Sequence, residues 1–145
     1  MSGFRIGSQS EFLDVKIVGR SHASQDYWDG NWLNADIQIA TGGFHGRFGA
    51  YLRAEELKIF HDSLMRLYSF DTKAVKFETM EEQLSIGIQG DSLGHFTAEC
   101  EARDQAGIGN RLSFTLNFDQ TELPEILKGL EEALKEFPVI GNPND

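Results

Sequence analysis

The sequence predicts an α+β fold: a single domain with an antiparallel β-sheet of about seven strands and two helices packed on one face. Two observations predict it. Stretch after stretch alternates apolar and polar residues with period 2, giving each strand one apolar and one polar face, the mark of an antiparallel sheet covered on one side. Two further stretches carry apolar residues at helical spacing, and each closes a run of strands. The apolar strand faces and the helix stripes must bury one another, which yields a layered α+β arrangement.

The first expected strand is "FLDVKIV", where Leu13, Val15 and Ile17 share one face and Asp14 and Lys16 the other. "WLNADIQIA" turns Leu33, Ala35, Ile37 and Ile39 inward and Trp32, Asn34, Asp36 and Gln38 outward. "GFHGRFGAYLR" sets Phe44, Phe48, Ala50 and Leu52 against His45, Arg47, Tyr51 and Arg53. A helix follows in "AEELKIFHDSLMRLYSF", with Leu57, Phe60, Leu64 and Leu67 on one stripe. Then come "AVKFET" (Val75, Phe77), "QLSIGIQG" (Leu84, Ile86, Ile88), "HFTAECEAR" (Phe96, Ala98, Cys100, Ala102) and "RLSFTLNF" (Leu112, Phe114, Leu116, Phe118).

The closing helix is "TELPEILKGLEEALKEF", striped by Leu123, Ile126, Leu127, Leu130, Leu134 and Phe137. Thr121 is its expected N-cap, because that register puts Pro124 in the first turn, where a missing N–H costs little. Gly129 interrupts the helix at a cost of about 1 kcal/mol relative to alanine. Glycine-bearing turns at 42–43, 90–94 and 104–110 separate the strands. "GNWL" and "GNRL" both open strands that lead toward a helix, a faint sign of internal duplication. No linker divides the chain, so residues 1–145 read as one domain with a core of about 11–137 and a flexible tail at 138–145.

Charge narrows the partners. Thirteen Lys+Arg against 23 Asp+Glu give a net charge of -10. Such a chain repels phosphate backbones and anionic lipid, so nucleic acid and membrane surfaces are poor partners, neither is expected, and a basic protein is the better match. A single cysteine makes no internal disulfide and fits a reducing compartment. The first twenty residues lack a basic stretch followed by an apolar one, and no apolar run approaches the ~18 residues of a membrane span. The expected location is the cytoplasm.

Cys100 is in phase with Phe96, Ala98 and Ala102, so it is expected in the core as a structural residue. His22, His45, His61 and His95 form no H-x-H or H-x-x-x-H pair, so no metal site is expected. "GGFHG" and "GIGNR" match no phosphate-binding loop, and no cofactor is expected. Glu55-Glu56, Glu81-Glu82 and Glu131-Glu132 are sequence neighbours, which on a helix point about 100° apart and do not converge. His22 with Asp26 and Asp29 is the one acid–base set left, and no catalytic residue is assigned.

The stretch "DYWDGNW", Asp26–Trp32, holds both tryptophans of the chain. Asp29-Gly30 signals a turn, since glycine accepts positive φ. Trp28 is expected to staple the loop over the sheet edge, with Gly30 structural beside it. Trp32 starts the outward phase of its strand and is expected to be partly exposed. Large, rigid rings with a polar tip also serve interfaces well. On that reading Asp26, Tyr27, Asp29, Trp32 and Asp36 bind a partner, the aspartates meeting its Lys or Arg.

"RSHASQDYWDGNWL", "LRAEEL", "FETMEEQLSI", "EARDQAGIGNRLSF" and "DQTELPEILKGLEEAL" resemble the WapI-type family of small bacterial immunity proteins. The resemblance runs from roughly Glu11 to Phe137, and the D-Y-W-D-G-N-W-L and A-R-D-x-A-G-x-G-N runs are its most specific parts. It implies an immunity protein that binds and neutralises the toxic C-terminal domain of a cognate wall-associated or contact-dependent toxin by stoichiometric protein–protein interaction. Many such toxins are nucleases with basic active-site surfaces, to which an acidic inhibitor is complementary. Two readings from other classes stay open: a small hydrolase or ligand-binding enzyme using the Asp26–Asn34 loop with His22, and an oligomeric structural module. An apolar pocket lined by His22, Asp26 and Asp29 would favour the enzyme, a flat acidic surface with exposed rings and no pocket the inhibitor, and a large apolar symmetric interface the structural module.

Overall fold

The computed structural model describes residues 2–144. It repeats one unit twice, a four-strand meander followed by a helix. Strands β1 (Ser2–Gly7), β2 (Phe12–Arg20), β3 (Trp32–Thr41) and β4 (Phe44–Arg53) pair antiparallel in chain order and lead into helix α2 (Ala54–Tyr68). A one-turn helix, α1 (Tyr27–Gly30), bridges β2 and β3. The second sheet holds β5 (Ala74–Phe77), β6 (Leu84–Gly90), β7 (His95–Arg103) and β8 (Arg111–Asp119), again in chain order. A 3-10 turn at Gln120–Glu122 then opens helix α3 (Leu123–Glu136). The α+β antiparallel class read from the alternation stands, with eight strands divided between two sheets.

The additional strand is β1, where only Phe4 and Ile6 alternate, between Gly3 and Gly7. Both are buried, yet two apolar residues are too few to mark a strand by period alone. The division into two sheets is equally silent in the sequence, because alternation fixes which face a strand buries and not which strand it pairs with. "GNWL" opens the third strand of the first sheet and "GNRL" the fourth of the second, so the repeat lies in element order and those two runs do not correspond.

One core serves both halves. The rings of Phe4 (β1), Phe60 (α2) and Phe77 (β5) meet with centroids 5.5, 6.2 and 4.8 Å apart, joining the first strand of each sheet through a helix. Helix α2 buries Leu57, Phe60, Leu64 and Leu67, and α3 buries Leu123, Ile126, Leu127 and Leu130. Helix α3 lies along β1 so closely that a Cβ at Gly129 would overlap the carbonyl oxygen of Gly3. The N-cap expected at Thr121 lies instead at Asp119, whose carboxylate accepts from the Thr121 N–H at 2.9 Å while Glu122 accepts from the Asp119 N–H at 2.8 Å. Helix α3 proper begins after this turn, with Pro124 still in its first turn. Phe44 shares the inward phase of Phe48, Ala50 and Leu52 but is 67% exposed, at the strand end beside the Gly42-Gly43 hairpin.

The segment after Phe137, expected to be loose, is anchored as far as Ile140. Arg20 donates to the Pro138 carbonyl, and the Asn31 side chain both donates to the Ile140 carbonyl at 2.9 Å and accepts its N–H at 2.8 Å. Asn31 is fully buried, so these bonds satisfy an amide that would otherwise be destabilising.

His61 on α2 clasps the two helices: Nδ1 lies 3.0 Å from Asp62 and Nε2 2.9 Å from Glu131 on α3. Burial alone would lower the imidazole pKa, but hydrogen bonds to Glu131 and Asp62 outweigh it and the pKa is raised. A raised folded-state pKa adds stability that is complete below about pH 6.5, the unfolded value, and is lost as pH climbs through the folded value. Stability measured by urea denaturation at pH 6 and pH 8.5 is therefore expected to fall by more in the wild type than in His61→Gln. Equal falls in the two proteins would refute the clasp.

Candidate functional site

Arg53 ends β4 and sits opposite Trp32 in the register of β3, so the two side chains share the outward face of the first sheet. An outward arginine ought to be solvated, yet this one is 1% exposed. The stretch "DYWDGNW" roofs it. Asp26 caps α1, its carboxylate accepting from the N–H groups of Trp28 (3.1 Å) and Asp29 (3.2 Å). The turn so fixed aims two carbonyls at the guanidinium: Nη1 donates to Trp28 O at 2.8 Å and Nη2 to Tyr27 O at 2.7 Å, while Nε pairs with the Glu55 carboxylate. The rings of Trp32, Tyr27 and Trp28 stand 4.7, 5.3 and 5.4 Å from the guanidinium carbon. All three aromatic residues of the stretch thus gather on one buried cation. The stretch is first of all an arginine clasp.

Its glycine has a different reason from the one the sequence suggests. Gly30 does not take positive φ; it ends α1 and is buried where a Cβ would overlap the Ser24 carbonyl oxygen. Below the clasp, Glu56 accepts from the Arg53 N–H at 2.8 Å and from the Met80 N–H at 2.6 Å, tying the start of α2 to the β5–β6 loop. Burial raises the Glu56 pKa, with the two N–H donors pulling the other way. Burial also raises the Tyr27 hydroxyl pKa, and the Glu55 carboxylate adds to that.

The residues expected to bind a partner fall into distinct places. Tyr27 and Trp32 line the clasp; Asp26 caps α1, and Asp29 stands exposed on it. Asp36 lies farther along the outward face, paired with Arg47 at 2.8 Å. Trp28, expected as the staple, is 49% exposed; its carbonyl accepts from Arg53 at 2.8 Å while its ring stands 5.4 Å from the guanidinium carbon. Trp32 is partly exposed. Cys100 is buried on the core face of β7, and burial, with Glu99 nearby, pushes its thiol up to about 12.

Beside the clasp a hollow of about 560 Å³ opens on the outward face of the first sheet, lined by Ser21, His22, Trp32, Asn34, Tyr51 and Glu81. Asn34 and Tyr51 are register partners, and Ser21 Oγ donates to Asn34 Oδ1 at 2.9 Å. Glu81 arrives from the other half of the chain. Its loop is pinned by the Met80–Glu56 bond, by Thr79 Oγ1 donating to Leu84 O at 2.9 Å, and by buried Gln83, whose amide donates to Gly49 O and Arg103 O. His22 enters this hollow, but neither Asp26 nor Asp29 lines it. Nothing local in the sequence marks Arg53, Tyr51 or Glu81: an outward phase reads as solvated until a loop is known to cover it.

The profile of the Immunity protein WapI-like family matches residues 4–138. The chain belongs to that family. The match begins within β1 and closes just past α3, so this WapI-like immunity protein carries the family pattern through both halves of its fold. A sequence search of curated proteins gave no match. Among solved structures, the Trypanosoma bruciei MRP1/MRP2 crystal structures are similar, with a TM-score of 0.51 at 12% identity over 94% of this chain and 86% of that one. A guide-RNA-binding protein complex bound to its RNA gives 0.51 at 13% identity over 93% and 91%. At such identities the likeness is one of fold.

Proposed function

We propose that this WapI-like immunity protein binds and neutralises the toxic C-terminal domain of a cognate bacterial toxin in the cytoplasm, one inhibitor to one toxin domain and without catalysis. The family match over residues 4–138 carries the reading. The charge of -10 supports a basic partner, since complementary fields speed encounter. The outward face of the second sheet adds Glu99 and Glu101 to that field. RNA, the ligand named for one structure of similar fold, is disfavoured here because a chain of net charge -10 is repelled by a phosphate backbone. Among the described residues no helix is long and apolar enough to cross a membrane.

The hydrolase alternative rests on His22 with Asp26 and Asp29. Asp26 spends its carboxylate on two backbone N–H groups, and both aspartates lie outside the hollow that His22 enters, so binding is the better supported reading. Titrating purified toxin domain with this chain is expected to end its activity at a one-to-one ratio. Raising salt from low to physiological should slow association far more than it speeds dissociation, because screening acts over about 8–10 Å. Residual toxin activity at a several-fold excess of this chain would overturn the proposal; salt-insensitive association would remove its electrostatic part.

A further inference from the structure

The hollow beside the clasp has the chemistry of a cation seat. Two aromatic rings line it, Trp32 partly exposed and Tyr51 52% exposed, together with one carboxylate, Glu81, and no lysine or arginine. Among the described residues the Glu81 carboxylate receives no hydrogen bond, so its acceptor capacity is unspent within the fold. The loop that presents it is nonetheless fixed at Thr79, Met80 and Gln83, which holds the carboxylate at the rim without using it. Asn34 and Ser21 offer further acceptors on the floor. The neighbouring Arg53 does not spoil the field, since Glu55 and two carbonyls meet its charge.

A planar cation answers each of these groups. A guanidinium stacks on exposed aromatic faces and offers forked donors to a carboxylate, whereas an ammonium is a compact, strongly hydrated point charge that does the first poorly and the second singly. We propose that the hollow seats an arginine side chain of the protein this chain neutralises, held between Trp32 and Tyr51 and paired with Glu81. The identity of that partner rests on the functional reading above; the arginine preference rests on the hollow itself.

The test uses capped single residues and no toxin, so its failure is distinct from a failure of neutralisation. N-acetyl-arginine amide is titrated into 15N-labelled full-length protein at physiological salt, following the indole N–H of Trp32 and the amides of Asn34 and Tyr51. Saturable shifts of these signals are expected, with Trp28, outside the hollow, changing less. Glu81→Gln should weaken binding about fivefold, the effect of one partly exposed ion pair. N-acetyl-lysine amide should bind more weakly, and N-acetyl-glutamine amide should give no saturable shift. The proposal is overturned if arginine amide gives none, if the lysine or glutamine compound binds equally well, or if Glu81→Gln binds as the wild type does.

Discussion

Arg53→Ala is expected to destabilise the fold by about 3–5 kcal/mol, the usual consequence of removing one partner from a buried ion pair. For a domain of this size that is a fall in Tm on the order of 10 °C. Three losses add up: Glu55 is left with an unpaired, mostly buried carboxylate, the carbonyls of Tyr27 and Trp28 lose their donors, and three rings lose the cation they surround. Arg53→Lys should recover only part of the loss, because an ammonium cannot reach two carbonyls and a carboxylate in one planar fork. Thermal melts of both variants decide it. A change within about 0.5 kcal/mol for Arg53→Ala would mean that the clasp is surface decoration.

Gly129→Ala is expected to destabilise by about 1–3 kcal/mol, against the ordinary direction of that exchange. In an exposed helix interior alanine is better than glycine by about 1 kcal/mol. Here the added methyl would press into the Gly3 carbonyl, which is backbone of strand β1 and cannot swing aside as a flexible side chain could. Helix α3 must lift from β1 or the strand must shift, and either opens the contact that seals the edge of the first sheet. Urea denaturation compares the two proteins directly; a more stable alanine variant would contradict the close approach.

These two positions also mark where reading the sequence stops. Period-2 alternation located seven of the strands and the helical stripes located α2 and α3, since each pattern records which face of an element is buried. Gly129 was legible only as a defect of its helix, because the strand it meets is 126 positions away in sequence and had too few apolar residues to be seen. Arg53 kept its outward phase; what buried it was a loop whose path no periodicity encodes. The importance of "DYWDGNW" was visible from its rings and aspartates, but its object, a cation from the far end of β4, was not. Glu81 joins the hollow from the other half of the chain, a meeting that depends on how two sheets sit together and that no local pattern records.

Survival of cells in which the cognate toxin domain is induced measures neutralisation most directly. Cells expressing this chain are expected to keep growing while cells without it die, and Arg53→Ala, through loss of folded protein, should protect less. Death at the same rate with and without the chain, while folded protein is present in the cells, would contradict the neutralising role.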